Sequence, residues 1–185
     1  MTENHQRRKQ PDLVRRNLLE HAMRLAESEG LSGVTVQAVA AAAGVTKGGL
    51  FHHFPSKQAL IEAMFADVMA RLDADIEAHI AADGNPKGCF TRAYVETMLA
   101  GKTFGLGTPW SSLAVSMIME PSLGLLWTDW LQDRLDRHHD TDAAPHLEII
   151  RLAADGAWLA HLGLGEKALD IDALRRRLLA MAAGR

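Results

Sequence analysis

The chain has 185 residues, 48% of them apolar and 23% charged, with a formal net charge of −3. That balance excludes a disordered polyelectrolyte, and without an 18-residue apolar run no membrane span is expected. Its one cysteine, Cys89, cannot form an intrachain disulfide and sits in no CxxC or Cys/His ligand pattern, so it is expected to be inert.

Helix formers dominate and β-branched or aromatic runs are scarce, which points to an all-α protein. The first residues, MTENHQRRKQPD, lack the apolar segment of a secretion signal, so cytoplasmic residence is the expectation. Residues 1–65 carry 8 Lys/Arg against 6 Asp/Glu, whereas residues 66–185 carry 12 against 17. The early positive charges cluster at Arg7, Arg8, Lys9, Arg15 and Arg16, either as a solvated tail or as a basic arm for a DNA minor groove.

A first helix is predicted from Asp12 to about Glu29. Val14, Leu18, Ala22 and Leu25 recur at helical spacing, and Gly30 and Gly33 end the run. Thr35 is then placed to cap a short helix, Val36–Ala43, and Gly44 suits a left-handed residue after it. Thr46 caps a second short helix, Lys47–His53, which Pro55 stops. Two helices joined by a tight glycine-containing turn make a helix-turn-helix. In the second, Gly48 and Gly49 each cost about 1 kcal/mol against alanine, a cost explained if another backbone approaches closely, from the first helix or from a nucleic acid. Between Ala38 and Glu62 no carboxylate occurs. By charge alone, this stretch fits either a phosphate-facing surface or a small alanine-rich core pair with solvated lysines.

The segment RRNLLEHAMRLAESEGLSGVTVQAVAAAAGVTKGGLFHHFPSKQALIEAMF, about residues 12 to 65, resembles the DNA-binding domain of the tetracycline-repressor (TetR/AcrR) family of bacterial regulators. The Thr35-Val36 helix start, the Ala43-Gly44-Val45-Thr46 turn, Gly49-Leu50, His53-Phe54 and Ser56-Lys57 all fall at family spacing. By position, the resemblance implies sugar-phosphate contacts at Gln37, Thr46, Phe51, His53 and Lys57 and base-edge contacts at Lys47, Gly48 and His52, with Thr35 grouped among the DNA-binding positions. The family usually has tyrosine where this chain has Phe51, so a phosphate hydrogen bond is missing there.

Ser56 caps a long helix, Lys57–Ala82, whose apolar face is Ile61, Phe65, Val68, Leu72 and Ile76. At 1.5 Å per residue it would span about 39 Å, more than a three-helix head needs, and so reads as a rigid connector. Further helices are predicted at Cys89–Ala100, Pro109–Met119, Ser122–His139, Ala144–Leu162 and Ile171–Ala182, about nine in all. The expected organisation is a helix-turn-helix head over residues 1–64 and a larger helical domain over residues 65–185. The penultimate helix is apolar on more than one face, and Leu174, Leu178, Leu179 and Met181 line the last. The resemblance implies that these two pair with their twins in a homodimer, through Ile150, Gly156, Trp158, Leu159, Leu174 and Leu178.

Trp110, Trp127 and Trp130 lie near Phe104, Met117 and Met119 and a glycine-rich loop, a composition suited to an adaptable apolar cavity or simply to core. The resemblance implies a small-molecule effector in this domain, with Arg92, Phe104, Trp110, Met117 and Trp127 as lining candidates and His161 as a further polar anchor. No GxSxG, P-loop, HExxH or GxGxxG pattern occurs, and His138-His139-Asp140 lacks the spacing of a metal site, so neither catalysis nor a cofactor is expected. Asp73 with Asp75, and Asp170 with Asp172, are expected to be solvated faces and caps. The reading is a ligand-responsive regulator, most simply a repressor, that binds a palindromic double-stranded DNA operator as a dimer. A helical interaction module that has lost DNA binding, or a small helical enzyme, are the alternatives.

Overall fold

The computed structural model describes residues 3–108, 110, 114, 119–164 and 169–184, the side chains of residues 3–10 and of Leu162 excepted. Among these are nine helices and no strand: α1 (Glu3–Gly33), α2 (Val36–Ala42), α3 (Lys47–His53), α4 (Lys57–Ala82), α5 (Cys89–Ala100), α6 (Pro121–Arg137), α7 (His139–Asp142), α8 (Pro145–Leu164) and α9 (Ile171–Ala182). They form two compact units, Met1–Val68 and Met69–Arg185. Of the predicted helix at 109–119, only Trp110, Ala114 and Met119 lie within the described residues.

The first unit is built on α1, α2, α3 and the start of α4. Leu18, Leu19, Ala22 and Ala26 of α1 are buried with Val39, Leu50, Phe54, Leu60, Met64 and Phe65. Val14 and Leu25, expected in the stripe, are only half-buried at its margins. The side-chain amide of Asn17 donates to the carbonyl of Ala43 (3.2 Å), tying α1 to the end of α2. The guanidinium of Arg15 lies 5.1 Å from the centre of the Phe54 ring. Two boundaries differ from expectation. Helix α1 starts at Glu3, so the basic residues 7–9 continue a helix rather than forming an extended arm. Its far end is broken at Gly30, where φ is 72°, a conformation that costs other residues steric strain.

In the second unit α5 is central, with Phe90, Ala93, Tyr94, Val95, Met98 and Leu99 all buried. A helix apolar on every side needs neighbours on every side, and α5 packs against α7, α8 and α9. Leu147, Ile150, Ala154, Ala157 and Trp158 of α8 and Leu178 and Ala182 of α9 complete this core. Helix α6 begins one residue earlier than expected, with Pro121 in its first turn, where a missing N–H costs nothing. It also ends earlier: His138 is its non-helical C-cap, and the separate turn α7 follows.

Polar groups are buried in pairs. Arg134 of α6, fully buried, is held by Asp73 and Glu77 of α4, and Trp130 donates its indole N–H to Asp73 at 3.0 Å. Asp73 is therefore not on a merely solvated face. Burial pushes its carboxyl up, but the hydrogen bonds from Arg134 and Trp130 outweigh this and hold it below the usual carboxylate range. Asp170 behaves as expected, capping α9 by accepting from the N–H of Ala173 (2.8 Å). The Tyr94 hydroxyl donates to Asp155 (2.6 Å), whose carboxyl burial nevertheless holds above its ordinary value.

Candidate nucleic-acid interface

The α2–α3 corner follows from three side chains and a glycine. The Thr35 hydroxyl accepts from the N–H of Ala38 (3.1 Å) and the Thr46 hydroxyl from that of Gly49 (3.0 Å), so both short helices begin on a capped turn. Helix α2 ends in a Schellman arrangement: Gly44 donates to Ala41 (3.2 Å) and Val45 to Ala40 (2.9 Å). Gly44 takes φ 68° to do so. Ser56 then caps α4 by accepting from Ala59 (3.0 Å). Each threonine hydroxyl that accepts from the backbone keeps its own proton available to an outside oxygen.

Most of the corner's polar side chains are exposed. Gln37, Thr46, Lys47, Gly48, Phe51, His52 and Lys57 are exposed, while Thr35 and His53 are half-buried. Seven of the nine expected DNA-binding positions are therefore accessible to a partner, while Leu50 and Phe54 are buried. Phe51 is 46% exposed. A side chain at Gly48 would meet nothing nearer than the Thr46 hydroxyl at 3.9 Å, and one at Gly49 only that hydroxyl and Val45. No packed helix thus accounts for the two glycines, of which Gly48 is exposed and Gly49 half-buried. The rings of His52 and His53 meet edge to face at 5.5 Å.

The C-terminal candidates are distributed differently. Arg92 lines a cleft of about 530 Å³ with His79, Asp83 and Glu96. Its guanidinium, however, is engaged by Asp83 (2.7 Å) and by the carbonyls of Lys87, Asn85 and Ala182. It is a clasp within its own unit, because every nitrogen of its planar fork already meets an acceptor. Phe104 and Trp110 are buried against each other, centroids 5.8 Å apart, and Trp127 pairs with Trp130 at 5.1 Å. Met117 lies outside the described residues. The His161 Nδ1 is enclosed with no partner among the described residues.

The proposed dimer positions divide by helix phase. Ile150, Trp158 and Leu178 are buried in the core of their own unit and Leu174 is half-buried, so the first three cannot also serve as an outer face. Gly156 and Leu159 are exposed, in phase with Ile149 (62% exposed) and Leu152 (62%). An apolar stripe that includes two of the expected positions, Gly156 and Leu159, thus runs along the outside of α8.

Sequence reasoning missed Arg134, Arg151, Asp142 and the Tyr94–Asp155 pair. Arg151 is buried and donates to the Thr91 hydroxyl (2.6 Å), and Asp142 accepts from the N–H of Thr91 (2.8 Å). The one available signal was the Trp130/Arg134 pair, four apart on α6 and facing the carboxylates Asp73 and Glu77, four apart on α4.

Residues 18–64 match the family described as bacterial regulatory proteins, tetR family. Residues 88–183, more than half of the chain, match the family described as tetracyclin repressor-like, C-terminal domain. The HTH-type transcriptional repressor KstR2 of Mycolicibacterium smegmatis is 37% identical over 60 residues, 32% of this chain and 29% of that protein. KstR2 of Rhodococcus jostii is 28% identical over 101 residues, 55% of this chain and 47% of that one. The chain thus aligns with less than half the length of these curated relatives. Among solved structures, the multidrug binding protein EbrR complexed with malachite green superposes with a TM-score of 0.70 at 19% identity, covering 91% of this chain and 96% of that one. A TetR-family transcriptional regulator from Streptomyces coelicolor does so with 0.68 at 22% identity, covering 100% and 94%. These superpositions speak to the fold.

Proposed function

Because the chain belongs to the tetR family of bacterial regulatory proteins, we propose that it is a ligand-responsive transcriptional repressor that binds a palindromic DNA operator as a homodimer. The observation that carries this reading is the outward face of α3, where Lys47, Gly48, Phe51 and His52 are exposed and the glycine backbone meets no protein atom that would explain it. A helix with no side chain on one turn can approach a base pair or a phosphate more closely than any other. Lys47, Gly48 and His52 read base edges in the major groove. Gln37, Thr46, His53 and Lys57 fix the register through phosphates, and Phe51 packs on the sugar-phosphate backbone without a hydrogen bond. Lys57 stands in the first turn of α4, where free N–H groups also favour a phosphate.

Dimerisation uses the exposed stripe of α8, and it sets two reading helices one turn of DNA apart, about 34–36 Å. The residues to either side of the proposed boundary near residue 64 then act as a reading head and as an effector-binding and dimerising domain. A small molecule entering the second unit releases the operator if it binds the non-DNA form more tightly, by biasing the tilt of α4. Among the described residues no helix is long and apolar enough to cross a membrane, which agrees with action on DNA in the cytoplasm. The chain is read as a regulator and not as an enzyme, since both matching families describe regulators.

Selecting bound sequences from random duplexes with the purified protein tests the reading. A two-fold symmetric consensus with half-sites one helical turn apart is the expected result, followed by release when candidate small molecules are added. No enrichment at low salt would remove the regulatory account and leave the interaction module, for which the exposed Phe51 ring would be the contact.

A further inference from the structure

Cys89, the one cysteine of the chain, opens α5; His138 closes α6; Asp142 ends α7. Folding brings a ligand atom from each within 4.8 Å of the other two. Cys89 and Asp142 are buried, and the Nε2 of His138 is enclosed with no hydrogen-bond partner among the described residues. We propose that these three side chains form the protein ligand set of a zinc-class divalent cation in the C-terminal unit, a site independent of the DNA-binding face and of any organic effector.

The donor chemistry selects the class of ion. One sulfur, one imidazole nitrogen and one carboxylate oxygen are the three ligand types that zinc accepts together, whereas magnesium and calcium require oxygen throughout. Ligand atoms around a tetrahedral zinc stand about 3.5 Å apart, so any contraction the site needs is at most roughly 1.3 Å, within the reach of side-chain rotation. Two of the ligands are already oriented. Asp142 accepts from the N–H of Thr91 (2.8 Å) and the hydroxyl of Thr141 (2.8 Å), with a looser contact from the N–H of Phe90 at 3.4 Å. The His138 ring lies parallel to that of Phe90, centroids 5.2 Å apart and 5° between planes. Outer hydrogen bonds and packing of this kind hold metal ligands in place. A purely structural thiol next to a helix-capping carboxylate explains Cys89 and Asp142 but leaves the enclosed His138 nitrogen unsatisfied.

Three protein ligands leave a fourth position, and two clefts lie beside the ligand residues or their chain neighbours. Asp142 lines a cleft of about 360 Å³ together with Gln132, His139 and Glu148. Gly88 and Thr141, the chain neighbours of Cys89 and Asp142, line another of about 440 Å³.

Cobalt(II) titration of the full-length reduced protein tests the site, because a thiolate-to-cobalt charge-transfer band can come only from Cys89. The expected result is a band that saturates at one equivalent, is abolished in Cys89→Ser and is displaced by zinc. His138→Gln and Asp142→Asn should each weaken cobalt binding by more than about 100-fold, beyond what loss of an outer hydrogen bond causes. Absence of the band with the thiol reduced would overturn the proposal, as would unchanged affinity in His138→Gln, the mark of adventitious thiol binding. Asp142 also caps α5, so its variant can fail to fold; alkylation of Cys89 in the wild-type protein then decides. Zinc must slow that reaction at least about tenfold, and an unchanged rate counts against the site.

Discussion

The missing side chain of Gly48 acts on two quantities in opposite directions. In the free protein a methyl group there has open space around it, and alanine is the better helix former. Gly48→Ala is therefore expected to raise the unfolding free energy by about 0.5–1 kcal/mol in urea titration. If the backbone of α3 lies against DNA, the same change weakens operator binding at least about tenfold, the factor that 1.4 kcal/mol of lost contact produces. Equal affinity for both proteins would take Gly48 out of the interface. The two lysines that flank this surface, both exposed, separate by role. Lys57→Ala should weaken binding to all sequences alike and reduce the salt slope by about one. Lys47→Ala should in addition relax the preference at one base position, by about 1–3 kcal/mol of discrimination. Binding curves on cognate and mutated operators across a salt series distinguish them, and identical effects from both would refute the division.

At the level of elements, α4 and α6 are joined by a buried charge rather than by apolar packing alone. Arg134 is fully buried, and its partners Asp73 and Glu77 are both on α4. Such an arrangement adds little net stability, yet it fixes the register of the two helices, because a one-residue slip would strand the guanidinium. The pH dependence follows from the direction of the Asp73 shift. Its carboxyl titrates lower in the folded protein than in the unfolded chain. The stabilisation is therefore present above the unfolded value of about 3.9 and disappears as pH falls through the lower folded value. Asp73→Asn should lower stability at neutral pH and flatten the loss of stability below about pH 4, as measured by thermal unfolding across pH. Asp155 works in the reverse sense: burial holds its folded pKa above the unfolded one, so its contribution improves as pH falls through that range.

For the whole molecule, the outer face of α8 carries the argument for a second copy. Ile149, Leu152, Gly156 and Leu159 are spaced at three and four residues and are exposed, and no atom lies within 4 Å of a side chain built at Gly156. An apolar stripe along a helix that already buries its opposite side asks for a partner helix, and a two-fold axis supplies an identical one. Leu152→Glu puts an unpaired carboxylate into that contact and is expected to yield a folded monomer in sedimentation. Operator affinity should then drop by about 100-fold or more, since each half-site must be held alone. A dimer that persists in this variant would move the interface elsewhere.

Local chemistry was enough to specify the head of this protein. The two threonine caps, the left-handed Gly44, the proline stop and the run without carboxylates act over a few residues, so their pattern is readable without knowing what packs on what. The same holds for the apolar face of α4, where Ile61, Phe65, Val68, Leu72 and Ile76 are all buried as their spacing requires. The phase of α8 was not readable, because a helix apolar on two sides presents the same periodicity whichever side turns inward. Packing against α5 and α9 decided that Ile150 and Trp158 face the core and Leu152 and Leu159 the outside. Spacing offered only a faint signal for Arg134 on Asp73 and none for Cys89 beside His138 and Asp142, since Cys89 and Asp73 lie far along the chain from their partners and meet them only when separate helices are packed together. Short-range rules are written in sequence; long-range polar partnerships exist only once tertiary packing removes water from around them.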